Sequence, residues 1–321
     1  MKTLSMAVFL FCGAQAWCQP VPGSLAMRWN AGAPDCDAMP QLPLQVHRYE
    51  PQTYILRQSP CANYEANFLY LLIGSEKALL IDTGAVAEPD LMPLAGTVLD
   101  LLPAEGGSRL PLLVAHTHGH RDHTAGDPQF APLESVQVIS TESEAVRQFF
   151  GFTDWPDGLA RLDLGGRTVE ILPAPGHHPD HLVFYDGRTT LLLTGDLLLP
   201  GRLLIDDIEE FRASAVRLVE FVKTRPIAHV LGAHIELDAA GQAFSTGSEH
   251  HPNERRLELA TADVIALSAA LEDFNGFYAS HDKFILSNPK RNLLALGIVV
   301  VVVLALAVRG LRRLLRRRQS F

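Results

Sequence analysis

Residues 112–123 read Leu112-Leu113-Val114-Ala115-His116-Thr117-His118-Gly119-His120-Arg121-Asp122-His123. An apolar run leads straight into four histidines and an aspartate within eight positions. Neutral imidazoles together with a carboxylate suit a divalent metal of intermediate softness, with zinc the first choice. Imidazoles two residues apart converge if the chain leaves the strand as a loop, and Gly119 leaves that backbone free to turn. Asp122 and His123 then face a second ion at the start of the next turn. A lone histidine is more often structural than a ligand, but five candidates at one strand end are poorly explained one at a time.

Three more candidates lie further along, each at the end of an apolar run or in a Pro/Gly turn. They are His177 in Pro173-Ala174-Pro175-Gly176-His177, Asp196 in Leu191-Leu192-Leu193-Thr194-Gly195-Asp196, and His234 in Val230-Leu231-Gly232-Ala233-His234. Strand ends on one edge of a sheet are neighbours in space, so scattered residues sharing this placement can form one site.

His118-x-His120-x-Asp122-His123, Gly176-His177, Thr194-Gly195-Asp196 and Gly232-Ala233-His234, in this order, resemble the metallo-β-lactamase fold superfamily. Asp82 in Ile81-Asp82-Thr83-Gly84 is similar to the family's earlier Asp-Thr-Gly turn, and the likeness covers residues 46–240. The resemblance implies an α+β fold, a four-layer αβ/βα sandwich. It also implies two zinc ions per chain, with His118, His120 and His177 holding one, Asp122, His123 and His234 the other, and Asp196 between them. Three protein ligands per zinc leave a place for water, whose pKa falls toward about 7, giving a nucleophile for an electrophilic carbonyl. Asp122 would orient that water or relay its proton, and Asp82 would support the ligand loop. His116 ends the strand or supports the site. The Gly-His-x-x-x-His spacing to His181 resembles the hydroxyacylglutathione hydrolase and lactonase branch and makes His181 a site-wall or supporting residue. His250 and His251 are either a substrate-side loop or a solvated helix start, and Trp155 is a lid or a core contact.

Asp196 chooses among activities, because zinc β-lactamases as a family carry cysteine there or lack a bridging residue. The di-iron relatives place glutamate where His120 stands, which argues for hydrolysis over redox chemistry. The reading is a zinc-dependent hydrolase of a small-molecule ester, lactone or thioester, with β-lactam hydrolysis second. A metal-binding module without turnover is the alternative of another class. No motif names the substrate-binding residues.

The chain of 321 residues carries 27 Lys+Arg against 36 Asp+Glu, a net charge of −9. Six arginines from Arg309 to Arg318, with no acid among them, contribute +6; removing them from −9 leaves −15 on residues 1–308. An acidic body without a basic patch at the motif disfavours a nucleic-acid partner and nuclease activity. At the N-terminus Lys2, an apolar run through Phe11, and small residues at Ala14 and Ala16 give the pattern of a secretory signal over residues 1–18, cleaved after Ala16 or Cys18; an uncleaved anchor is the alternative. Leu293–Val308 has no polar side chain and runs into the arginines. A transmembrane helix over 293–311 is expected, with snorkelling arginines extending its length. The arginine excess places the basic tail 312–321 in the cytoplasm and the body outside it, at the plasma (inner) membrane. Cys36 and Cys61 remain after the signal as a disulfide or as two buried thiols.

Residues 19–45 read as an irregular lead-in to a hydrolase domain over 46–285. Strands are expected at Thr53–Arg57, Asn67–Ile73, Ala78–Ile81, Leu110–Ala115, Val136–Ile139, Thr168–Leu172, His181–Tyr185, Thr190–Leu193 and His229–Leu231, with a hairpin turn at Gly74–Lys77. Helices are expected at Pro89–Leu102, Glu142–Phe150, Asp206–Lys223 and Pro252–Asp273. Strands mixed with helices and no repeat point to two sheets covered by helices.

Overall fold

The computed structural model describes residues 20–105 and 108–318. The expected signal segment and the last three residues of the basic tail lie outside the described residues. Two six-stranded sheets make up the body. The first is ordered Leu44–Glu50, Thr53–Gln58, Phe68–Ile73, Ala78–Ile81, Leu112–Ala115, Val136–Val138, antiparallel through the fourth strand and parallel thereafter. The second is ordered Glu258–Leu259, His229–Gly232, Leu191–Gly195, Leu182–Asp186, Thr168–Pro173, Ala160–Asp163, with only its second and third strands parallel.

Continuous apolar strands bury both faces, and successive side chains point to opposite sides. Phe68, Tyr70 and Leu72 therefore pack inward with Ile55, Leu79 and Ile81 against Val169, Ile171, Phe184, Leu191 and Leu193 of the second sheet. Their neighbours Leu69, Leu71 and Ile73 pack outward with Leu80 and Val114 under the helix Leu94–Leu101. On the far side Val183, Tyr185, Leu192 and Val230 pack under the helices Ile208–Lys223 and Thr261–Glu272. The order helix, sheet, sheet, helix is an α+β sandwich of four layers. Buried Arg167 bridges the two sheets: Nε and Nη2 donate to the Asp186 carboxylate at 2.9 and 2.7 Å, and Nη1 donates to the carbonyls of Gln52 and Ile73.

Two expected helices are shorter than their sequence patterns. The first starts at Leu94 rather than Pro89, because Pro93 lacks an N–H and disposes Met92 to an extended backbone. The last starts at Thr261 rather than Pro252. Residues 237–259 are drawn instead into tertiary pairings, Leu237 with Ala243, Asp238 with Glu254, His250 with Gly32, and Leu259 with Val230. His250 and His251 are thus not at a helix start; His251 is buried, stacked on Phe244 at 4.5 Å. Trp155 packs against Phe152 at the margin of the inter-sheet core. Short strands at Ala160–Asp163, Arg202–Leu204, Tyr278–Ser280 and Ile285–Ser287 carry too little alternation to be read in advance. The last three form a small sheet ordered Arg202–Leu204, Ile285–Ser287, Tyr278–Ser280.

Cys36 and Cys61 form a disulfide. The final helix runs Pro289–Arg318, longer than the apolar run alone. Its stretch Pro289–Gly310, 22 residues long, contains an 18-residue window of mean hydropathy 2.7, and none of that window is buried in the body.

Candidate metal centre

Thr168–Pro173, Leu191–Gly195 and His229–Gly232 run in one direction, as the pairings with Leu182–Asp186 and between the last two require. Their C-terminal ends open on one edge, and the loop after Leu112–Ala115 meets them there. Two glycines make this approach possible. Gly176 has φ +129°, and a Cβ on it would stand 2.4 Å from the Phe211 backbone. Gly195 has φ +51°, and a Cβ on it would stand 2.7 Å from Thr117 Cβ. The residues after them, His177 and Asp196, are thereby brought against the histidine loop.

The seven expected ligands fall into two adjoining groups, His118, His120 and His177 in one and Asp122, His123, Asp196 and His234 in the other. In the first, His118 Nε2 is 2.9 Å from His120 Nδ1 and 3.1 Å from His177 Nε2, and His177 Nε2 is 3.1 Å from His120 Nδ1. Three nitrogens bound tetrahedrally to one zinc would stand about 3.3 Å apart, so the triangle has the size such an ion requires. In the second, His123 Nε2 lies 3.1 Å from Asp122 Oδ2 and 3.6 Å from Asp196 Oδ2, and His234 Nε2 lies 3.4 Å from both Asp122 Oδ2 and Asp196 Oδ1. Asp196 Oδ2 is also 3.5 Å from His177 Nε2, so this carboxylate touches both groups.

The opposite ring nitrogens are engaged in ways that fix which nitrogen faces the cluster. His177 Nδ1 donates to the Leu204 carbonyl at 2.7 Å, and His234 Nδ1 donates to the Glu65 carbonyl at 2.7 Å. His123 Nδ1 donates to Asp82 Oδ2 at 2.8 Å. Asp82 also accepts from the Thr117 N–H at 2.7 Å and from Thr117 Oγ1 at 2.9 Å, and Thr117 Oγ1 lies 3.2 Å from His118 Nδ1. Asp82 therefore supports both groups. His116 turns away, with Nε2 2.9 Å from Asp127 Oδ1, and braces the loop. His181 lies beneath the cluster, stacked on His118 at 5.1 Å, and its Nε2 accepts from the Asp196 N–H at 3.2 Å.

The two halves differ electrostatically. Burial, reinforced by the neighbouring imidazoles, holds His118 well below the ordinary histidine range, and the same causes lower His120. Burial opposes protonation of His123 and His234 too, but carboxylates prevail: Asp82, Asp196 and Asp122 push His123 well up, and Asp196 and Asp122 raise His234 to about 9. Despite burial, the same pairs hold Asp122 and Asp196 well below the carboxylate range. His118 and His120 present neutral lone pairs, and the half around Asp122 and Asp196 calls for positive charge. His123 Nε2 and Asp196 Oδ1 are buried without a hydrogen-bond partner. Orphaned donor atoms of this chemistry, converging with ordered tautomers, fit a divalent metal.

Four contributors were not legible as site residues. Asn67 is fully buried, and its Nδ2 lies 3.3 Å from Asp122 Oδ2 and 3.4 Å from His234 Nε2. A polar residue heading the apolar run Phe68–Ile73 was the available signal. Thr117 is noticed only through its partners, and Glu65 and Leu204 act through backbone carbonyls, on which side-chain type leaves no mark.

The profile of the metallo-beta-lactamase superfamily matches residues 65–243, more than half of the sequence and every residue of both groups. The chain belongs to the metallo-β-lactamase superfamily. Among relatives of this superfamily member, the human acyl-coenzyme A thioesterase MBLAC2 is 26% identical over 219 residues, covering 57% of this chain and 77% of that protein. A hydroxyacylglutathione hydrolase of Chromohalobacter salexigens is 32% identical over 165 residues, covering 50% of this chain and 59% of that one. Among solved structures, a metallo-beta-lactamase from Pontibacter korlensis is 17% identical with a TM-score of 0.49, over 72% of this chain and 100% of that one. Membership together with the His/Asp cluster makes this superfamily member a metal-dependent hydrolase.

Proposed function

We propose that the protein is a membrane-anchored hydrolase that uses two zinc ions to cleave an ester, lactone or thioester, with a thioester favoured. The observation that carries this reading is the pair of adjoining donor groups sharing Asp196. His118, His120 and His177 would hold one ion and Asp122, His123 and His234 the other. Bound zinc supplies Lewis acidity, making water acidic enough to ionise near neutral pH and polarising a carbonyl. The chain's residues do the rest. Asp122 receives its contacts from Asn67, His123 and His234 on Oδ2, which leaves Oδ1 to accept the proton of the attacking water and return it to the leaving alcohol or thiol. His181 holds the backbone of Asp196, and Asp82 keeps His123 in one tautomer. The preference for a thioester draws on the human relative, which is named an acyl-coenzyme A thioesterase. Hydrolysis of a β-lactam is the second reading, and Asp196 in a place where zinc β-lactamases carry cysteine or lack a bridging residue ranks it lower.

The reading extends to location. The exposed helix Pro289–Gly310 crosses the plasma membrane, Arg309–Arg318 lie in the cytoplasm, and the body lies outside, where an oxidising compartment suits the Cys36–Cys61 disulfide.

Full-length protein loaded with zinc should hydrolyse members of a panel of p-nitrophenyl esters, lactones and thioesters, and His120→Ala should abolish that turnover. No zinc-dependent turnover on any of them would sink the reading, and preferential hydrolysis of a chromogenic cephalosporin would promote the second. Metal analysis should give about two equivalents per chain; one would count against Asp196 as a shared ligand. Protease added outside spheroplasts should cut the body and spare Arg309–Arg318; the reverse would overturn the topology.

A further inference from the structure

The root of the last helix and the metal centre are joined by one strand pair. Leu204, whose carbonyl accepts from His177 Nδ1, ends the strand Arg202–Leu204 and pairs with Ser287. Ser287 also pairs with Tyr278 across the same small sheet, and the helix begins at Pro289. With strands about 4.8 Å apart, His177 stands on the order of 10 Å from the first helical turn.

That edge is apolar and exposed. Leu204, Phe277 and Tyr278 are 39%, 43% and 56% exposed at the end of the small sheet from which the helix leaves, and the helix continues into the exposed Leu293 and Leu294. The helix is fastened to this edge: Asn292 Nδ2 donates to the Phe277 carbonyl at 3.1 Å, and Lys290 Nζ pairs with Asp206 at 2.6 Å. The Asp206 N–H in turn donates to the Gly176 carbonyl at 2.9 Å, beside His177. The apolar run starts at Leu293, so the Asn292 contact puts Phe277 at the depth where hydrocarbon gives way to head groups, a level that aromatic side chains favour. Burial of Leu203, Ile205, Phe284 and Leu286 fixes the small sheet to the body, so the edge cannot be withdrawn without breaking the core.

We propose that Leu204, Phe277 and Tyr278 form a contact surface for the lipid bilayer, which holds the metal centre at the membrane, and that the substrate is a long-chain acyl ester or thioester taken from the bilayer. The inference rests on the hydrolase reading and on the helix crossing the membrane. A solvent-facing active site would gain nothing from an apolar edge beside the anchor. One set into the head groups receives an acyl chain from lipid while the cluster stays wet.

The test uses the full chain in phosphatidylcholine vesicles. Tryptophan at Tyr278→Trp should be quenched by lipids brominated near the head group, whereas tryptophan at Leu91→Trp, outside the opposite sheet, should not. The pair Phe277→Ser and Tyr278→Ser should lower hydrolysis of vesicle-borne p-nitrophenyl palmitate about fivefold or more and leave soluble p-nitrophenyl acetate unchanged. Equal quenching at both positions, or a palmitate rate that does not fall relative to acetate, would overturn the proposal. Wild-type protein that fails to float with vesicles removes the anchor and the docking surface together. If it floats but cleaves no ester, lactone or thioester, palmitoyl-coenzyme A included, the hydrolase reading and the acyl substrate fail, and the quenching contrast alone decides the docking surface.

Discussion

Asp82 and His123 are 41 residues apart in sequence, yet the Asp82 carboxylate accepts the Nδ1 proton of His123 at 2.8 Å with both side chains buried. Asp82 sits at φ +66°, a left-handed conformation that places its carboxylate under the histidine loop. Asparagine tolerates that conformation and still accepts a hydrogen bond, but it brings no charge to the imidazole. Asp82→Asn should therefore fold and lose about 10–100-fold in affinity for the metal held by the group containing His123. Competition with a chromogenic chelator reads this directly; unchanged affinity for both metals would show that Asp82 does not act through His123.

The Cys36–Cys61 disulfide fastens the segment before the first strand to the loop that ends at Asn67. That loop supplies the Glu65 carbonyl to His234 and the Asn67 amide to Asp122. A cross-link closing a loop with a sequence separation of 25 contributes about 3.5 kcal/mol in the chain-entropy account. Cys36→Ser should lower the melting temperature and weaken the metal site that includes His234, with the site of His118 less affected. Metal titration of oxidised, reduced and Cys36→Ser protein separates these effects, and equal weakening at both sites would show that the disulfide acts on global stability alone.

What could be read in advance follows the reach of each interaction. The strands Phe68–Ile73 and Ala78–Ile81 carry their own signal, being apolar throughout and separated by a short polar turn. The seven clustered side chains were visible because each stands at the end of such a run, and the family pattern grouped them. Residues 252–260 misled because their helical pattern is local while their partners, Asp238, Val230 and Leu231, are remote. Asn67, Glu65 and Leu204 were hidden for the same reason, and the last two also because they act through a carbonyl that every residue possesses.

Asp186 gives the body a definable acid limit. Burial would raise its pKa, but hydrogen bonds and charge from Arg167, with further bonds from Thr189, hold it lower. Glu50 also faces Arg167, at 3.9 Å. A folded pKa below the unfolded value of about 3.9 means stability that is fully present above that pH and lost as pH falls through the lower folded value. Asp186→Asn leaves Arg167 buried without its counter-charge and should cost about 3–5 kcal/mol at pH 7. In metal-free protein the gap between wild type and variant should narrow as pH falls from 5 toward 2. A gap independent of pH in denaturant titrations would show that Asp186 does not titrate with folding.

Gly176 is the point where chemistry and packing meet. Its φ of +129° is one that side-chain-bearing residues rarely adopt, and a Cβ there would collide with the Phe211 backbone in the helix Ile208–Lys223. That helix cannot yield easily, because Phe211, Ala215 and Leu218 anchor it in the core and Asp207 caps its N-terminus through Glu209 and Glu210. The strain in Gly176→Ala should therefore fall on the loop and move His177 away from His118 and His120. We expect a loss of about 1–3 kcal/mol in stability together with a drop in metal content at the His118 site, while the Asp122 group keeps its ion. Asp206→Ala, which leaves its own N–H bond to the Gly176 carbonyl in place, serves as the control and should retain metal at both sites. Gly176→Ala protein with full metal content and an unchanged melting temperature would show that the loop accommodates a side chain and that the glycine does not set the position of His177.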